Sequence, residues 1–582
     1  MGSARDLGLG CALALLVLGC SSSSSLPRGI DEAVLLGPES DATEGRLHRG
    51  PAIVPGSDGT ARFVGALHER FDRERAFERT QFIDGFYRAP ANDGFEATLA
   101  RVEADLRAAG FGSSDGLLLE WLEQPMKARG GGAAPAWTPV AGQLELRGVN
   151  GARVLHSFST PDARDRVMLP VGAPSCDVEG AVAFALEELD AGEILVTDAS
   201  PDGGALRGAS EKGAVAVLSA YLPQFNLDPT GAERHLDAIQ YRGMRGTLPV
   251  AMISKRSLAA IRAAREQDPH VRIAYRAEVK LDERPLRTLV ATVLGADRAQ
   301  EAVAIAAHVQ EPGACDNASG VAGVCEGAIA LAWALRESAI APPSRSIVFL
   351  FGDEFTQSSM WLDATSRKPI VGISADMLGE SRERTGALPL LERMPDPGAV
   401  KTLAPDEHTA WGGRPYSAAK LAPSGLNVLA RCALLDVAAL EPGWETAEHP
   451  YEGGSDHSEF LGRGIPGVLF WHFTDFAYHT SLDRIEHVDA DELRRMSVAV
   501  VATALAAADP RPADLDRYLR ANKEERALRV QAALDAKDEE LAQLWRTWTD
   551  GARQWLRVEC LRIPPEELAP AAQAPKADPT KE

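Results

Sequence analysis

Two histidines and four acidic residues stand out in this chain by type and by place: His308, Asp316, Asp353, Glu354, Asp376 and His479. Imidazole nitrogens and carboxylate oxygens are common donors to divalent cations, so the chemistry they offer together is metal-assisted. The stretch 306–320, AAHVQEPGACDNASG, puts His308 at the end of an apolar run and an Asp-Asn pair at the opening of a helix. Alone, it fits either a metal site or a polar loop whose Asp caps a helix. The other residues decide. EAVAIAAH ends at His308, SRSIVFLFGDE at Asp353 and Glu354, PIVGISAD at Asp376, and GIPGVLFWHF leads within one loop to AYHTSLD and His479. In an open parallel α/β sheet the ligand site lies beyond the carboxyl ends of the strands, so these runs deliver their polar ends to one edge. Six polar groups in one crevice are costly to bury without partners. A pair of divalent cations satisfies them.

The elements that must position these residues follow from the apolar pattern. Between about 286 and 510, buried-strand runs alternate with helical ones, which predicts an α/β domain with a mixed, largely parallel central sheet flanked by helices. Residues 64–112 read as helical, and FEATLARVEADLRAAGF stops at Gly110. A separate small α/β or β-rich unit is predicted at 151–270 from EILVTDAS, LRGASEKG, AVAVLS, VAMISK and SLAAIRAAR. The charged tail carries ERALRVQAALDAKDEELAQLWRTW, predicted as an amphipathic helix on the main domain, and ends in a stretch of disordered composition. The expected division is a signal peptide at 1–19, a flexible tether at 20–60 and the N-terminal part of the main domain at 61–150. The inserted unit at 151–270, the catalytic domain at 271–510 and a helical extension at 511–582 complete it.

The 582 residues carry a formal charge of −22, which argues against nucleic acid and anionic membrane surfaces as partners. Arg5 precedes the apolar run LGLGCALALLVLG, which is too short to span a bilayer comfortably and has the shape of a signal-peptide core. Val17-Leu18-Gly19-Cys20, followed by SSSSS, resembles a bacterial lipoprotein box. That resemblance implies lipidation at Cys20, export to the bacterial cell envelope, and membrane contact through the lipid anchor only. Five further cysteines (176, 315, 325, 432 and 560) leave at least one unpaired, and no CxxC spacing marks a zinc ribbon or redox site. Cys315 reads as a small buried residue.

Five ordered motifs, H308…GACDNASG, FGDE, ISADMLG, SDHSEF with GIP, and YHTSLD, resemble the co-catalytic di-zinc exopeptidases. That family includes bacterial leucyl aminopeptidases and glutamate-carboxypeptidase-like enzymes. The likeness covers about 75–125 and 286–505, and LPVAMISKRSLAAI between them resembles the close of a protease-associated domain. The resemblance implies two Zn2+ per chain bridged by Asp316, with His308 and Asp376 completing one position and Glu354 and His479 the other. It gives Asp353 the place of the general base and Tyr478 that of an oxyanion donor. Three departures stand out: Asp353 where the family has Glu, Gln310 where it has the Asp of H-x-D, and a His308–Asp316 loop shorter than in many relatives. The implied function is an exported aminopeptidase acting on short peptides. A single-zinc glutaminyl-cyclase-like enzyme, a carboxypeptidase and a decayed peptide-binding protein remain open on the same fold. Asp456, His457 and Glu459 are expected to line the pocket or support its ligands, and Asp483 to cap a helix. Residues 381–425, with His408, read as a lid or a surface loop. The inserted unit is expected to shape access without touching the metals.

Overall fold

The most apolar runs of the chain become the middle of a nine-stranded sheet. The computed structural model describes residues 48–49 and 56–563, apart from 128–131, 150, 229 and 245. The predicted signal peptide, Cys20, nearly all of the tether and the end of the tail from 564 lie outside the described residues. Across the sheet the strands run in the order His48–Arg49, Thr446–His449, Leu388–Glu392, Gly467–Phe473, Lys368–Ala375, Arg298–His308, Arg345–Gly352, Leu286–Val293 and Leu117–Gln124. The four from Gly467–Phe473 to Arg345–Gly352 are mutually parallel, and antiparallel pairs flank them on both sides. Mixed α/β architecture is therefore the fold.

These central strands are buried on both faces, which is why their sequences lack polar alternation. Val303, Ile305 and Ala307 face the core shared with the helices Ala318–Arg336 and Ala490–Ala508, while Ala304 and Ala306 face Trp361 and Phe460. Helix Ala318–Arg336 is apolar and long enough to cross a membrane, but it is a core helix here. Register keeps the carboxyl ends level: His308 pairs with Gly352, Ala306 with Ser374, and Ala375 with Phe470. Every metal-type residue that follows a central strand thus emerges on one edge.

The inserted unit holds a second, seven-stranded sheet with its own apolar core. Its predicted strands and helices form at Ile194–Thr197, Gly203–Glu211, Ala216–Ser219, Val250–Met252 and Lys255–Gln267. The sheet starts at Ala136 and ends at Asp282, so the unit extends beyond the expected 151–270 at both ends. Pro139 and Gly142 obscure the first strand; the ladder shifts register between Pro139 and Ala141, where proline is tolerated.

Two further expectations change. The tail is a helical hairpin, Leu515–Asp535 and Glu539–Leu561, rather than one helix. Lys537 turns left-handed and Asp538 accepts from Leu541 N to start the second helix. Trp545, Trp548 and Leu556 bury against the main core, and Arg529 pairs with Glu448 at 2.6 Å. Residues 381–425 contain the sheet strand Leu388–Glu392, and His408 is tied to Glu452 at 2.9 Å. This stretch is scaffold at its start, not a lid throughout. Among the described residues Cys176, Cys315, Cys325, Cys432 and Cys560 are free thiols.

Candidate metal centre

His308 ends its strand with Nδ1 3.0 Å from the Gln310 carbonyl oxygen, so that nitrogen carries the proton and Nε2 is left for another partner. Nε2 faces Asp376 Oδ2 at 3.2 Å, Asp316 Oδ1 at 3.5 Å and Glu354 Oε1 at 3.9 Å. The Gln310 side chain accepts from Glu354 N at 2.7 Å. Gln310 therefore orients the imidazole through its backbone carbonyl and the Glu354 backbone through its side chain. Asp376 Oδ2 accepts from Ser455 Oγ at 3.0 Å, while its Oδ1 is buried with no hydrogen-bond partner among the described residues. Asp456 does not line a pocket. Its carboxylate accepts from Phe355 N, Gln357 Nε2 and Ser358 Oγ, fixing the turn that presents Glu354. His457 binds Glu392 at 2.9 Å and Glu459 binds Ser359 at 2.6 Å, both as supports.

Asp316 lies on the loop between strand and helix. Asn317, not Asp316, caps helix Ala318–Arg336 by accepting from Gly320 N, and its amide also ties to Ala375 O and Met377 N beside Asp376. Asp483, expected to cap a helix, instead accepts from Cys315 N at 2.7 Å and Asp316 N at 2.9 Å. Its own burial pushes the Asp483 carboxyl up to about 7. Asp316 Oδ2 sits 2.9 Å from His479 Nε2, and Oδ1, on the His308 side, is buried without a hydrogen-bond partner. One carboxylate thus stands between two imidazoles.

Glu311 was not singled out by sequence, yet its Oε2 lies 2.7 Å from the same His479 nitrogen. Arg88 holds this loop: its guanidinium donates to Val309 O, Ile83 O and Gly313 O, and its carbonyl accepts from Glu311 N. Arg166, from the inserted unit, donates to Pro312 O at 2.7 Å. That unit also clamps the His479 loop. Tyr241 N and Gln240 Nε2 donate to His479 O at 2.7 and 3.1 Å, and Asn226 Nδ2 donates to Tyr478 O at 2.7 Å and Phe476 O at 2.9 Å. The expectation that the unit only shapes access is therefore corrected, because it holds the backbone that carries His479.

Around Asp316 the ligand-type atoms form two of the four such groups among the described residues, each within 4.8 Å: His308 with Glu354 and Asp376, and Asp316 with His479 and Glu311. Glu354 was expected beside His479, but the structure places it beside His308. The register explains this, since Glu354 follows a strand paired with that of His308. Charge balance in the centre is proton-dependent. Burial opposes a charged His308, but Asp376 and Glu354 outweigh it and raise the imidazole well above 6.5; Glu311 and Asp316 do the same for His479. Burial and then the Glu311 charge push Asp316 up to about 6. Two orphaned buried carboxylate oxygens and an N/O donor set fit divalent cations, which would replace those protons.

Tyr478 stacks on the His479 ring, with centroids 3.8 Å apart. Burial, reinforced by the nearby carboxylates, raises its hydroxyl well above 10 and keeps it a donor. Asp353 Oδ2 accepts from Thr356 Oγ1 at 2.6 Å at the start of helix Thr356–Ala364.

The Peptidase family M28 profile matches residues 430–504, the segment carrying SDHSEF, GIP and YHTSLD. Over that segment the chain is similar to the M28 peptidases. Solved structures similar to this chain include an aminopeptidase from Aneurinibacillus sp. strain AM-1, at 16% identity over 76% of this chain and 96% of that one, TM-score 0.46. BSAP, a zinc aminopeptidase from Bacillus subtilis, matches at 15% identity over 75% and 95%, TM-score 0.49. A Peptidase M28 precursor from Shewanella amazonensis matches at 16% over 79% and 96%, TM-score 0.49. A search of curated proteins returns no match.

Proposed function

We propose that this chain is a di-zinc aminopeptidase of the M28 type that removes N-terminal residues from short peptides. The observation that carries the reading is Asp316, whose two oxygens face His308 Nε2 and His479 Nε2 while Oδ1 has no hydrogen-bond partner among the described residues. His308, Asp316, Glu354, Asp376 and His479 would hold the metals. When bound, two zinc ions polarise a scissile carbonyl and lower the pKa of the attacking water. Asp353 would take that water's proton and pass it to the leaving amine, which requires it to come within about 2.6–3.2 Å. The Tyr478 hydroxyl, kept protonated by burial, would donate to the developing oxyanion. Export as a lipoprotein through Cys20 belongs to this reading, as does a protease-associated identity for the inserted unit. The strand–helix order from Ile194 to Gln267 supports the latter.

One observation favours a second reading, a decayed peptide-binding protein: the Asp353 carboxylate is engaged by the Thr356 hydroxyl. Elemental analysis of the purified protein, with a screen of free-amine and N-blocked peptide substrates, separates the two. Two zinc per chain with hydrolysis of free-amine substrates alone supports the aminopeptidase. Metal without turnover selects the binding protein, and turnover of N-blocked substrates at a free carboxyl end selects a carboxypeptidase.

A further inference from the structure

We infer that Glu311 is a metal ligand, the third protein donor of the position formed with Asp316 and His479. The inference rests on the two-metal reading and changes its ligand assignment. Glu311 Oε2 and Asp316 Oδ2 lie 2.7 and 2.9 Å from His479 Nε2, so three donors of three residues converge on one point. Glu354, which the family resemblance would seat there, is grouped with His308 and Asp376 instead. Without Glu311, that position would have one imidazole and one shared carboxylate. Zinc positions that perform chemistry ordinarily have three protein donors and an open site. With Glu311 the donors divide three and three, and Asp316 Oδ1 remains to bridge towards His308.

Two further features point the same way. Asp316 is 3% exposed, and its Oδ1 is buried without a hydrogen-bond partner among the described residues, aimed into the space between the groups. Glu311 itself is held in a left-handed conformation, φ 90°, by Arg88 contacts on either side of it. A non-glycine residue there is strained, and such strain clusters at functional sites. The loop between His308 and Asp316 brings Glu311 back towards the centre. An ordinary ion pair with a protonated His479 is the competing role for this carboxylate.

The test is metal stoichiometry and affinity, independent of turnover. Metal-free full-length protein is titrated with Zn2+ by calorimetry, and with Co2+ by visible absorbance, for wild type, Glu311→Ala, Glu311→Gln, His479→Ala and Asp353→Ala. Wild type and Asp353→Ala should bind two equivalents. Glu311→Ala should bind one, as His479→Ala does, and its Co2+ spectrum should lose the contribution of one position. Glu311→Gln keeps the shape of the side chain, covering the case in which the alanine variant does not fold. It should weaken the second equivalent by at least about tenfold. Two equivalents at wild-type affinity in Glu311→Gln or in folded Glu311→Ala would overturn the assignment while leaving the two-metal reading standing. Fewer than two equivalents in wild type would overturn that reading and this assignment with it.

Discussion

The two halves of the centre are built by different means. His308, Glu354 and Asp376 leave neighbouring strands whose ladder keeps their ends level, and the residues after Glu354 and Asp376, Phe355 and Met377, take positive φ. In the other half two of the ligand-type residues, Glu311 and His479, themselves adopt positive φ. Their loops are shaped from outside, by Arg88, by Asp483 and by Asn226, Gln240 and Tyr241 of the inserted unit. A half held by its own sheet should tolerate the loss of a supporting contact. A half held by distant side chains should not.

Asp316 touches both halves, so its loss should have the largest effect. Asp316→Ala should empty both positions and reduce peptide hydrolysis to background, as measured by elemental analysis and a steady-state assay. Retention of two metals would break the two-halves account. Asp353 belongs to the sheet half but supplies no metal contact in this account. Asp353→Ala should lower kcat by about 10²–10⁴-fold with two metals still bound. If Asp353 serves only to hold the Thr356 hydroxyl, kcat stays unchanged and stability falls by about 0.5–1.5 kcal/mol.

The sheet half was largely legible in the sequence because it obeys a local rule: an apolar run ends, and a ligand-type residue follows. His308, Glu354 and Asp376 are all found that way. The loop half was partly hidden. Glu311 lies in a Gly/Pro-containing loop without periodicity, and its one signal was an acid between His308 and Asp316. The role of Gln310 depends on its backbone carbonyl as much as its side chain. The clamp on His479 comes from residues about 240 positions earlier, and no spacing rule reaches that far. The strand Leu388–Glu392 was missed because Pro389 and the surrounding Gly/Pro composition look like loop.

The clamp offers a sharper probe of the comparison. Asn226→Ala removes donors to Phe476 O and Tyr478 O without touching a ligand. It should weaken one metal equivalent by about 10–100-fold and leave the other unchanged, as read by a two-step Zn2+ titration. Equal weakening of both steps would mean that the halves are not independently supported.

The smallest effect expected is on pH dependence. In metal-free protein, carboxylates raise His308 and His479 well above 6.5 despite burial. Their stabilising charge pairs are fully present below 6.5 and are lost as pH rises through the folded values. Metal binding must displace the same protons, so affinity rises with pH. The Tm difference between metal-loaded and metal-free protein should therefore widen as pH increases above 6.5. A difference that is flat or narrows with pH would contradict this charge balance.

The central claim is that one carboxylate separates two metal positions, one sheet-held and one loop-held. X-ray diffraction data collected on either side of the zinc absorption edge, from crystals of zinc-loaded protein, test it most directly. The account predicts two anomalous peaks flanking Asp316, one among His308, Glu354 and Asp376 and the other beside His479 and Glu311. A single peak, or two peaks that both leave Asp316 uncoordinated, would contradict it.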